Sequence, residues 1–491
     1  MGSIARQAAL TTVLTYAGIG LGFVNVVLLY PHFLSEAEFG LTRLFISIVT
    51  MGAQVAQLGM ENTLVRYFPY VRDPRRAHQG ILSAMLAIGS MTSVLAGVAL
   101  LLFHTTLADI FSDRSGLYAD HGYWVVPLLF AEVYFLLLRA FSRSVRRPVV
   151  PVFIREFLMR LMQTVLVLVH ARWPLSFGMF LLCYVGIYGL CTTLLAADLW
   201  RHGELSFRRA SLLIRPRLRR SMWTYGLYAM AAGLIGTALG TVDQMMIGAV
   251  LTDGLRYVAY YAVAVYIGSF VAVPSRAMMQ VVLPVLADAW RRKDRVALQR
   301  IYERSALVQL LVGTFLFLLL WASIEDLFTL LPPAYAMGAS ITLVIGLGQL
   351  VNASAGVNIG IISMSRSYRF DAWSSLALLG LDAIACFVLV LHFGVEGAAW
   401  ATVASITLIN ALRIWFLWKH HGLWPFGWRH LRILAVVGVV LLVVYWIPIA
   451  GDPWWNVVVR SGAVALAFWP LAHVMGLTRE LLAIKEGMLR R

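Results

Sequence analysis

The chain has 491 residues, of which 60% are hydrophobic and 13% are charged, and its formal net charge is +16. A soluble chain of this length would divide into several domains with about a quarter of its residues charged. The low charge therefore excludes a water-exposed globule and predicts that lipid covers most of the surface.

Apolar stretches of about 18 to 28 residues recur without the period-two alternation of barrel strands, so each is predicted to be a transmembrane helix. About fourteen such spans are predicted, which makes the chain an all-α polytopic membrane protein. Six lie near residues 8–34, 41–60, 79–103, 122–138, 152–170 and 177–199. Eight more lie near residues 222–250, 257–282, 305–324, 339–362, 372–392, 398–418, 433–449 and 456–476.

The spacing of the spans predicts four parts. Residues 1–199 form an N-terminal six-helix bundle, 200–221 a basic cytoplasmic linker and 222–418 a second six-helix bundle. Residues 419–491 hold two further helices and a cytoplasmic tail. The first span is too long for a signal-peptide core, so we expect it to be retained.

Lys and Arg concentrate in alternate loops, and this bias places those loops and both termini in the cytoplasm. The same distribution explains the positive net charge without a nucleic-acid partner. The basic stretch 287–304 is predicted to be an amphipathic helix on the inner leaflet, where it would contact anionic membrane lipids.

The two halves contain a weak internal repeat. "NVVLLYPHFLS", which begins at Asn25, aligns with "DQMMIGAVLTD", which begins at Asp243. Because each half has six spans, the halves share one orientation. We expect a pseudo-two-fold axis along the membrane normal and a substrate cavity where the halves meet.

Three segments resemble a known family: "GLGFVNVVLLYPHFLSEAEFGLTRLF", "LGMENTLVRYFPYV" and "GTVDQMMIGAVL". They are similar to the polysaccharide (O-antigen type) flippases of the multidrug, oligosaccharidyl-lipid and polysaccharide exporter superfamily. The resemblance implies transfer of an undecaprenyl-pyrophosphate-linked oligosaccharide across the bacterial inner membrane by alternating access. It also implies a monomer that works without a cofactor, near other polysaccharide assembly proteins.

An ionisable side chain inside a span costs about 3 kcal/mol, so each is expected to have a function or a partner. Arg43 and Arg276 are predicted to line the cavity and to bind the pyrophosphate or an acidic sugar; snorkelling to headgroups is the alternative. Asp243 and Glu132 are predicted to couple transport to H⁺ or Na⁺, and a fixed ion pair is the alternative for each.

Other polar residues in the spans are predicted to be mainly structural. Glu156 and Arg160 are four residues apart and can pair on one helix face. Asp382 and Arg413 are candidates for pairing between helices. Asn25, Asn352 and Asn358 can hydrogen-bond either sugar hydroxyls or neighbouring helices.

The sequence carries no motif of an enzyme. It lacks a phosphate-binding glycine loop and any pair of residues at metal-ligand spacing, so neither catalysis nor a metal site is expected. Cys183, Cys191 and Cys386 lie inside spans and are interpreted as inert.

Three other functions remain open. A multidrug or small-molecule cation antiporter of the same superfamily would share the fold. A membrane polysaccharide polymerase or ligase would usually need a large outer loop, which the sequence lacks. A partner-recruiting scaffold would not require so many ionisable residues within its spans.

Overall fold

This computed structural model describes residues 2–73, 78, 80–111, 116–205, 216–238, 240–365, 367–446 and 451–478. Within these ranges the chain is helical and contains no strand, which confirms the predicted all-α class. The helices up to residue 201 are α1 (Gly2–Phe23), α2 (Tyr30–Phe33), α3 (Glu36–Ala56), α4 (Met60–Val71), α5 (Ile81–Leu102), α6 (His104–Phe111), α7 (Leu117–His121), α8 (Val125–Ser144), α9 (Val149–Val152), α10 (Met159–Arg172) and α11 (Phe177–Arg201). Those that follow are α12 (Pro216–Ala238), α13 (Val242–Val250), α14 (Gly254–Gly268), α15 (Val273–Arg292), α16 (Arg295–Thr329), α17 (Gly338–Ser354), α18 (Asn358–Met364), α19 (Tyr368–His421), α20 (Trp428–Tyr445) and α21 (Pro453–Val474).

The helices group into two compact units, Met1–Ala262 and Val263–Arg491. The helix α12, which begins within the predicted linker, belongs to the first unit and packs against α3 and α4. Gly59, with φ at +66°, permits this contact, since a Cβ there would lie 2.0 Å from the Gly226 carbonyl oxygen.

Parts of the predicted organisation stay untested. Residues 206–215 of the predicted linker and 479–491 of the predicted tail lie outside the described residues. The division into two six-helix bundles, 1–199 and 222–418, stays a prediction.

In the first unit, α8 is the central helix and contacts α3, α4, α5 and α11. Its residues Leu128, Val133 and Leu137 are fully buried. A helix that is apolar on several faces is expected at the centre of a bundle. The neighbouring helix α3 begins at Ser35, whose backbone N–H donates to Glu38 Oε2 at 3.0 Å in a capping box.

In the second unit, α16 is the central helix and contacts α15, α17, α20 and α21. The predicted single amphipathic helix over 287–304 is wrong, because two helices meet there. Lys293 ends α15 in the left-handed region with φ at +57°, and the Asp294 side chain caps α16 by accepting from Ala297 N at 2.9 Å.

Two predicted spans are broken rather than continuous. In the first, α12 and α13 meet at a bend of 58°, and in the second, α17 and α18 meet at a bend of 49°. The second break contains Gly356, whose φ is +61° and whose Cβ, if present, would lie 2.9 Å from Ala306 N. The long helix α19 passes through Gly394 at φ +61° and ψ −143°, between two predicted spans.

Among the described residues, nine helices are long and apolar enough to cross a membrane, or up to eleven if each bent pair is one span. These helices make the chain a multi-pass membrane protein. The stretch from α9 to α10 is not among them, and it carries Arg155, Glu156 and Arg160. The predicted number of fourteen spans stays a prediction.

Candidate functional site

In the first unit, predicted polar residues lie at two π turns, Val24–Leu29 and Phe153–Leu158. Such turns interrupt helices and are frequent at functional sites. Asn25 is buried in the first turn, where its Nδ2 donates to the Arg160 carbonyl oxygen at 2.9 Å. The Thr164 hydroxyl donates to Asn25 Oδ1 at 2.7 Å. The amide therefore joins the first π turn to α10.

Glu156 and Arg160 are joined by an ion pair of 2.9 Å on one helix face. Arg160 Nη1 also donates to the Gly18 carbonyl oxygen of α1. Both contacts hold the second π turn and α10 against the first helix. This arrangement is the one expected for a structural pair.

Glu132 in α8 is buried and accepts two hydrogen bonds from Arg155, from Nη1 at 2.7 Å and from Nη2 at 2.9 Å. The guanidinium also lies over two aromatic rings, with its Cζ 5.4 Å from the Phe135 centroid and 5.5 Å from that of Tyr188. Adjacent Arg155 and Glu156 thus point to different partners. Glu132 is held in a bidentate ion pair, which is the geometry of a fixed contact.

A cluster of aromatic rings surrounds Arg43, whose Cζ lies 5.1 Å from the Tyr30 centroid and 5.2 Å from that of Phe39. Tyr184 interacts electrostatically with Tyr30, Tyr188 and Arg43, and its ring lies 5.6 Å from that of Tyr188. We call Tyr30, Arg43, Tyr184 and Tyr188 the tyrosine–arginine cluster.

The cluster contains buried polar atoms with weak partners. The hydroxyls of Tyr30 and Tyr184 and Nε of Arg43 meet no partner at full hydrogen-bond geometry within the described ranges, but the Tyr30 hydroxyl faces the Arg43 guanidinium and the Tyr184 hydroxyl faces Tyr188. Arg43 is half-buried, and no carboxylate in those ranges forms an ion pair with it. Arg155, by contrast, is fully paired with Glu132. The arrangement can therefore accept an anionic group at Arg43.

Asp243 lies in the first turn of α13, directly after the 58° break. Its carboxylate is buried and accepts a hydrogen bond of 2.6 Å from the Tyr261 hydroxyl. The next residue, Gln244, accepts from the Ser47 hydroxyl at 2.9 Å through its Oε1. A carboxylate at a helix start is favoured by the helix dipole, so Asp243 occupies a position suited to a charge.

The predicted asparagines of the second unit form a network around the break between α17 and α18. Asn358 Nδ2 donates to Asn410 Oδ1 at 2.8 Å, and Asn410 Nδ2 donates to Asn352 Oδ1 at 3.1 Å. Asn358 and Asn410 are buried, whereas Asn352 is exposed. Asn410 was not predicted. It lies two predicted spans after Asn352 and Asn358 and belongs to none of the motifs, so only its residue type inside a span pointed to it.

Asp382 and Arg413 do not pair with each other. Arg413 Nε donates to Asp371 Oδ1 at 2.8 Å, and its Nη2 donates to Ser375 at 3.1 Å. Asp382 is buried beside Ser405, and its Oδ1 has no hydrogen-bond partner among the described residues. The predicted pairing of Asp382 with Arg413 is therefore wrong, because Asp371 of α19 lies at the Arg413 guanidinium instead.

Arg276 lies near the start of α15 and is exposed, with neither an ion pair nor a hydrogen bond within the described part of the chain. Pro274 stands in the first turn of α15 after a 3-10 turn, Ser269–Ala272. A proline in that position removes no helical hydrogen bond. Arg276 does not join the network of Asn352, Asn358 and Asn410.

A polar contact that we did not predict joins α21 to α16. Arg460 Nη1 lies 3.2 Å from Asp326 Oδ2, and Asn456 Nδ2 donates to Asp326 Oδ1 at 2.9 Å. Asp326 lies just outside the predicted span 305–324, but α16 extends through Thr329. The signal that was missed is Arg460, a charged residue within the last predicted span.

A second unpredicted contact lies in the first unit. Glu61 in α4 is buried and forms an ion pair of 2.7 Å with Arg139 and a further one with Arg143. These arginines were interpreted only as topology signals. Their i, i+4 spacing on α8 was a sign that they share a partner.

No group of three or more His, Cys, Asp or Glu residues that could hold a metal ion occurs within the ranges described above. Cys183 is exposed, whereas Cys191 and Cys386 are buried, and none of the three forms a disulfide.

Comparison with known proteins gives a family and a fold. Residues 4–290 match the family model described as "Polysaccharide biosynthesis protein". An uncharacterized membrane protein of Methanocaldococcus jannaschii is 23% identical over 424 residues, which is 80% of each chain. The match over more than half of the chain confirms the family that the sequence motifs predicted.

Solved structures of transporters have a similar fold. A structure of lipid II flippase MurJ in an inward closed conformation has a TM-score of 0.74 at 13% identity, and the match covers 96% of this chain and 100% of that one. An inward-facing multidrug resistance transporter of the MATE family has a TM-score of 0.61 at 15% identity, with coverage of 86% and 94%. A MATE transporter from Vibrio cholerae, in its bent form, has a TM-score of 0.54 at 12% identity, with coverage of 85% and 98%. At these identities the likeness establishes the fold alone.

Proposed function

Since the chain belongs to the polysaccharide biosynthesis protein family, we propose that it is a flippase for undecaprenyl-pyrophosphate-linked oligosaccharide. It moves this lipid across the bacterial inner membrane by alternating access. The fold that it shares with a lipid II flippase supports a lipid as the cargo. Both termini lie in the cytoplasm in the orientation that the loop charges favour.

The observation that carries the proposal is the Arg43 guanidinium, which faces aromatic groups instead of a carboxylate. Arg43 is half-buried against Tyr30 and Phe39, with no carboxylate partner among the described residues. A planar guanidinium binds a phosphate through two parallel hydrogen bonds, and stacking on aromatic rings holds it in the required orientation. A pyrophosphate bound there would supply the missing counter-charge.

The glycan would be bound by neutral groups. The rings of Tyr184 and Tyr188 pack against each other near Arg43, and their hydroxyls are groups that can hydrogen-bond a sugar. Asn352 is the exposed member of the asparagine network and is a further candidate for sugar hydroxyls. The prenyl tail stays in lipid, so these contacts need to recognise only the polar headgroup.

Coupling to H⁺ or Na⁺ is assigned to Asp243. Transporters commonly place ion sites at helix breaks, where the backbone is unwound and a buried carboxylate can bind a cation. Asp243 lies directly after such a break and is buried beside Tyr261. Glu132 is a weaker candidate for ion coupling, because its ion pair with Arg155 would first have to open.

The cargo and the coupling ion are the proposed partners, together with membrane lipids and neighbouring polysaccharide assembly proteins. We propose that the protein works as a monomer, needs no cofactor and catalyses no covalent step. A polymerase or ligase activity would instead form glycosidic bonds, which purified protein with a lipid-linked donor would reveal.

Binding of the isoprenoid pyrophosphate tests the role of Arg43. The purified protein is titrated with undecaprenyl pyrophosphate and, separately, with undecaprenol, which lacks the phosphates. We expect R43Q to weaken binding of the pyrophosphate by about tenfold or more, since a charge-assisted pair is removed, and to leave undecaprenol binding unchanged. R43K should recover only part of the affinity, because an ammonium lacks the planar fork.

R66Q is the matched control. Arg66 is also stacked on an aromatic ring, with its Cζ 4.3 Å from the Tyr225 centroid, but it is exposed in the middle of α4. Equal losses in R43Q and R66Q would mean that the effect is one of overall charge, and the assignment of Arg43 would be abandoned. Tight binding of a cationic dye in place of the pyrophosphate would favour the multidrug antiporter.

A further inference from the structure

The second unit contains a cavity with charged residues in its lining that the proposed transport function does not use. Its volume is about 500 Å³, and it lies between the start of α16 and the end of α19. Its lining includes Arg295, Gln299, Arg300, Glu303, His421 and Leu423. We propose that this cavity binds the phosphate headgroup of an anionic phospholipid.

Hydrogen bonds fix the walls of the cavity. Gln299 Nε2 donates to the Trp424 carbonyl oxygen at 2.7 Å, and Trp424 N donates to Gln299 Oε1 at 3.0 Å. The Trp290 ring lies 5.1 Å from that of His421, while its indole N–H donates to the Ile361 carbonyl oxygen at 3.0 Å. The loop after α19 is thereby tied to α16, so the cavity is built before any ligand binds.

The charge of the cavity suits a phosphate. Arg295 and Arg300 are exposed, and neither forms an ion pair among the described residues. They lie in the first two turns of α16, a helix of 35 residues whose N-terminal dipole also favours an anion. Glu303 is the one carboxylate in the lining, and it accepts a hydrogen bond from Gln299. Two guanidinium groups thus outnumber the single carboxylate.

The rim of the cavity distinguishes a lipid from a soluble phosphate. Val296, which lines the cavity, is 68% exposed. Trp424 directly follows the lining residue Leu423, its backbone is hydrogen-bonded to the lining residue Gln299, and its side chain is exposed. Tryptophans gather at the level of lipid headgroups, and an apolar valine beside arginines suits the boundary between headgroups and acyl chains. In the proposed orientation, the rim of the cavity lies at the cytoplasmic leaflet.

Lipid retention tests the inference independently of transport. Full-length protein is purified in mild detergent, phosphatidylglycerol is added, and bound lipid is measured by native mass spectrometry. The pocket variant is R295Q/R300Q, and the matched control is R291Q/R292Q. Arg291 and Arg292 pair with Asp288 on α15 and do not line the cavity. We expect the pocket variant to bind about tenfold more weakly than the control, because only it loses the charge-assisted bonds.

Equal weakening in the two double variants would show a diffuse charge effect and would overturn the proposal. Displacement of the lipid by millimolar glycerol 3-phosphate or inorganic phosphate would show that the cavity takes a soluble anion, which would also overturn it. If R295Q/R300Q fails to fold, the single variants R300Q and R292Q make the same comparison at exposed positions. Phosphatidylcholine should bind equally to all variants.

Discussion

The second π turn of the first unit and the helix break of the second unit stabilise polar side chains in different ways. At this π turn the groups are charged, and Glu132 with Arg155 and Glu156 with Arg160 form ion pairs. In the second unit the groups at the helix break are neutral amides, and Asn358 and Asn410 satisfy each other.

The difference separates structural contacts from the proposed binding site. The amides of the second unit cost little when buried, because they exchange hydrogen bonds within the protein. Glu132 and Glu156 compensate the arginines that they contact, whereas Arg43 has aromatic rings and no carboxylate beside it among the described residues. A guanidinium without a counter-charge is costly in lipid, so we propose that a ligand supplies that charge.

The largest expected effect is the loss of stability when the ion pair between Glu132 and Arg155 is broken. E132A leaves Arg155 without its carboxylate and should lower the free energy of unfolding by about 3 kcal/mol. Unfolding in a denaturing detergent titration measures the change. This loss is expected because the Arg155 guanidinium would be left in the protein interior without a counter-charge.

The double variant E132L/R155M is the control for that prediction. Replacing both charges by apolar groups should restore most of the stability, because no unpaired charge is left. If the double variant is as unstable as E132A, the pair is not the cause and the carboxylate has another partner.

An effect of intermediate size is expected at Asp243. D243N keeps the hydrogen bond from Tyr261 but cannot bind a proton or Na⁺, so stimulation of transport by an ion gradient should fall about tenfold. D288N, at an exposed carboxylate of α15, should retain the stimulation. Transport rates in vesicles with and without an imposed gradient measure the stimulation in both variants. Full stimulation in D243N would remove Asp243 from the coupling role.

The smallest effect is expected in the amide network. N410A removes the partner of Asn358 and Asn352 and should cost about 1 kcal/mol, the typical size of a hydrogen bond between membrane helices. The same detergent titration measures it, and transport should persist. A complete loss of transport at unchanged stability would instead make the amides part of the cargo site.

The spans could be predicted from the sequence because the length of an apolar stretch shows directly whether it can cross a membrane as a helix. Most predicted spans coincide with helices, as 177–199 does with α11. The breaks after α12 and α17 could not be predicted, since averaging hydropathy over a window hides a local bend. The short-range pair of Glu156 and Arg160 followed from helix periodicity alone.

The partners of the other charges could not be predicted, because they come from distant parts of the chain. Arg413 pairs with Asp371 and not with Asp382, although both carboxylates precede it on α19. Asp326 was assigned to a loop since the end of α16 could not be placed from composition. Sequence spacing decides such pairs only within a few helical turns.

Translocation by reconstituted protein tests the central claim most directly. Lipid-linked oligosaccharide is placed in the outer leaflet of vesicles that hold the protein, and delivery to the lumen is followed by protection from an impermeant glycosidase. We predict that wild type and R66Q protect the glycan, whereas R43Q does not. No protection by the wild type, together with transport of a cationic dye, would contradict a lipid-linked oligosaccharide as the cargo.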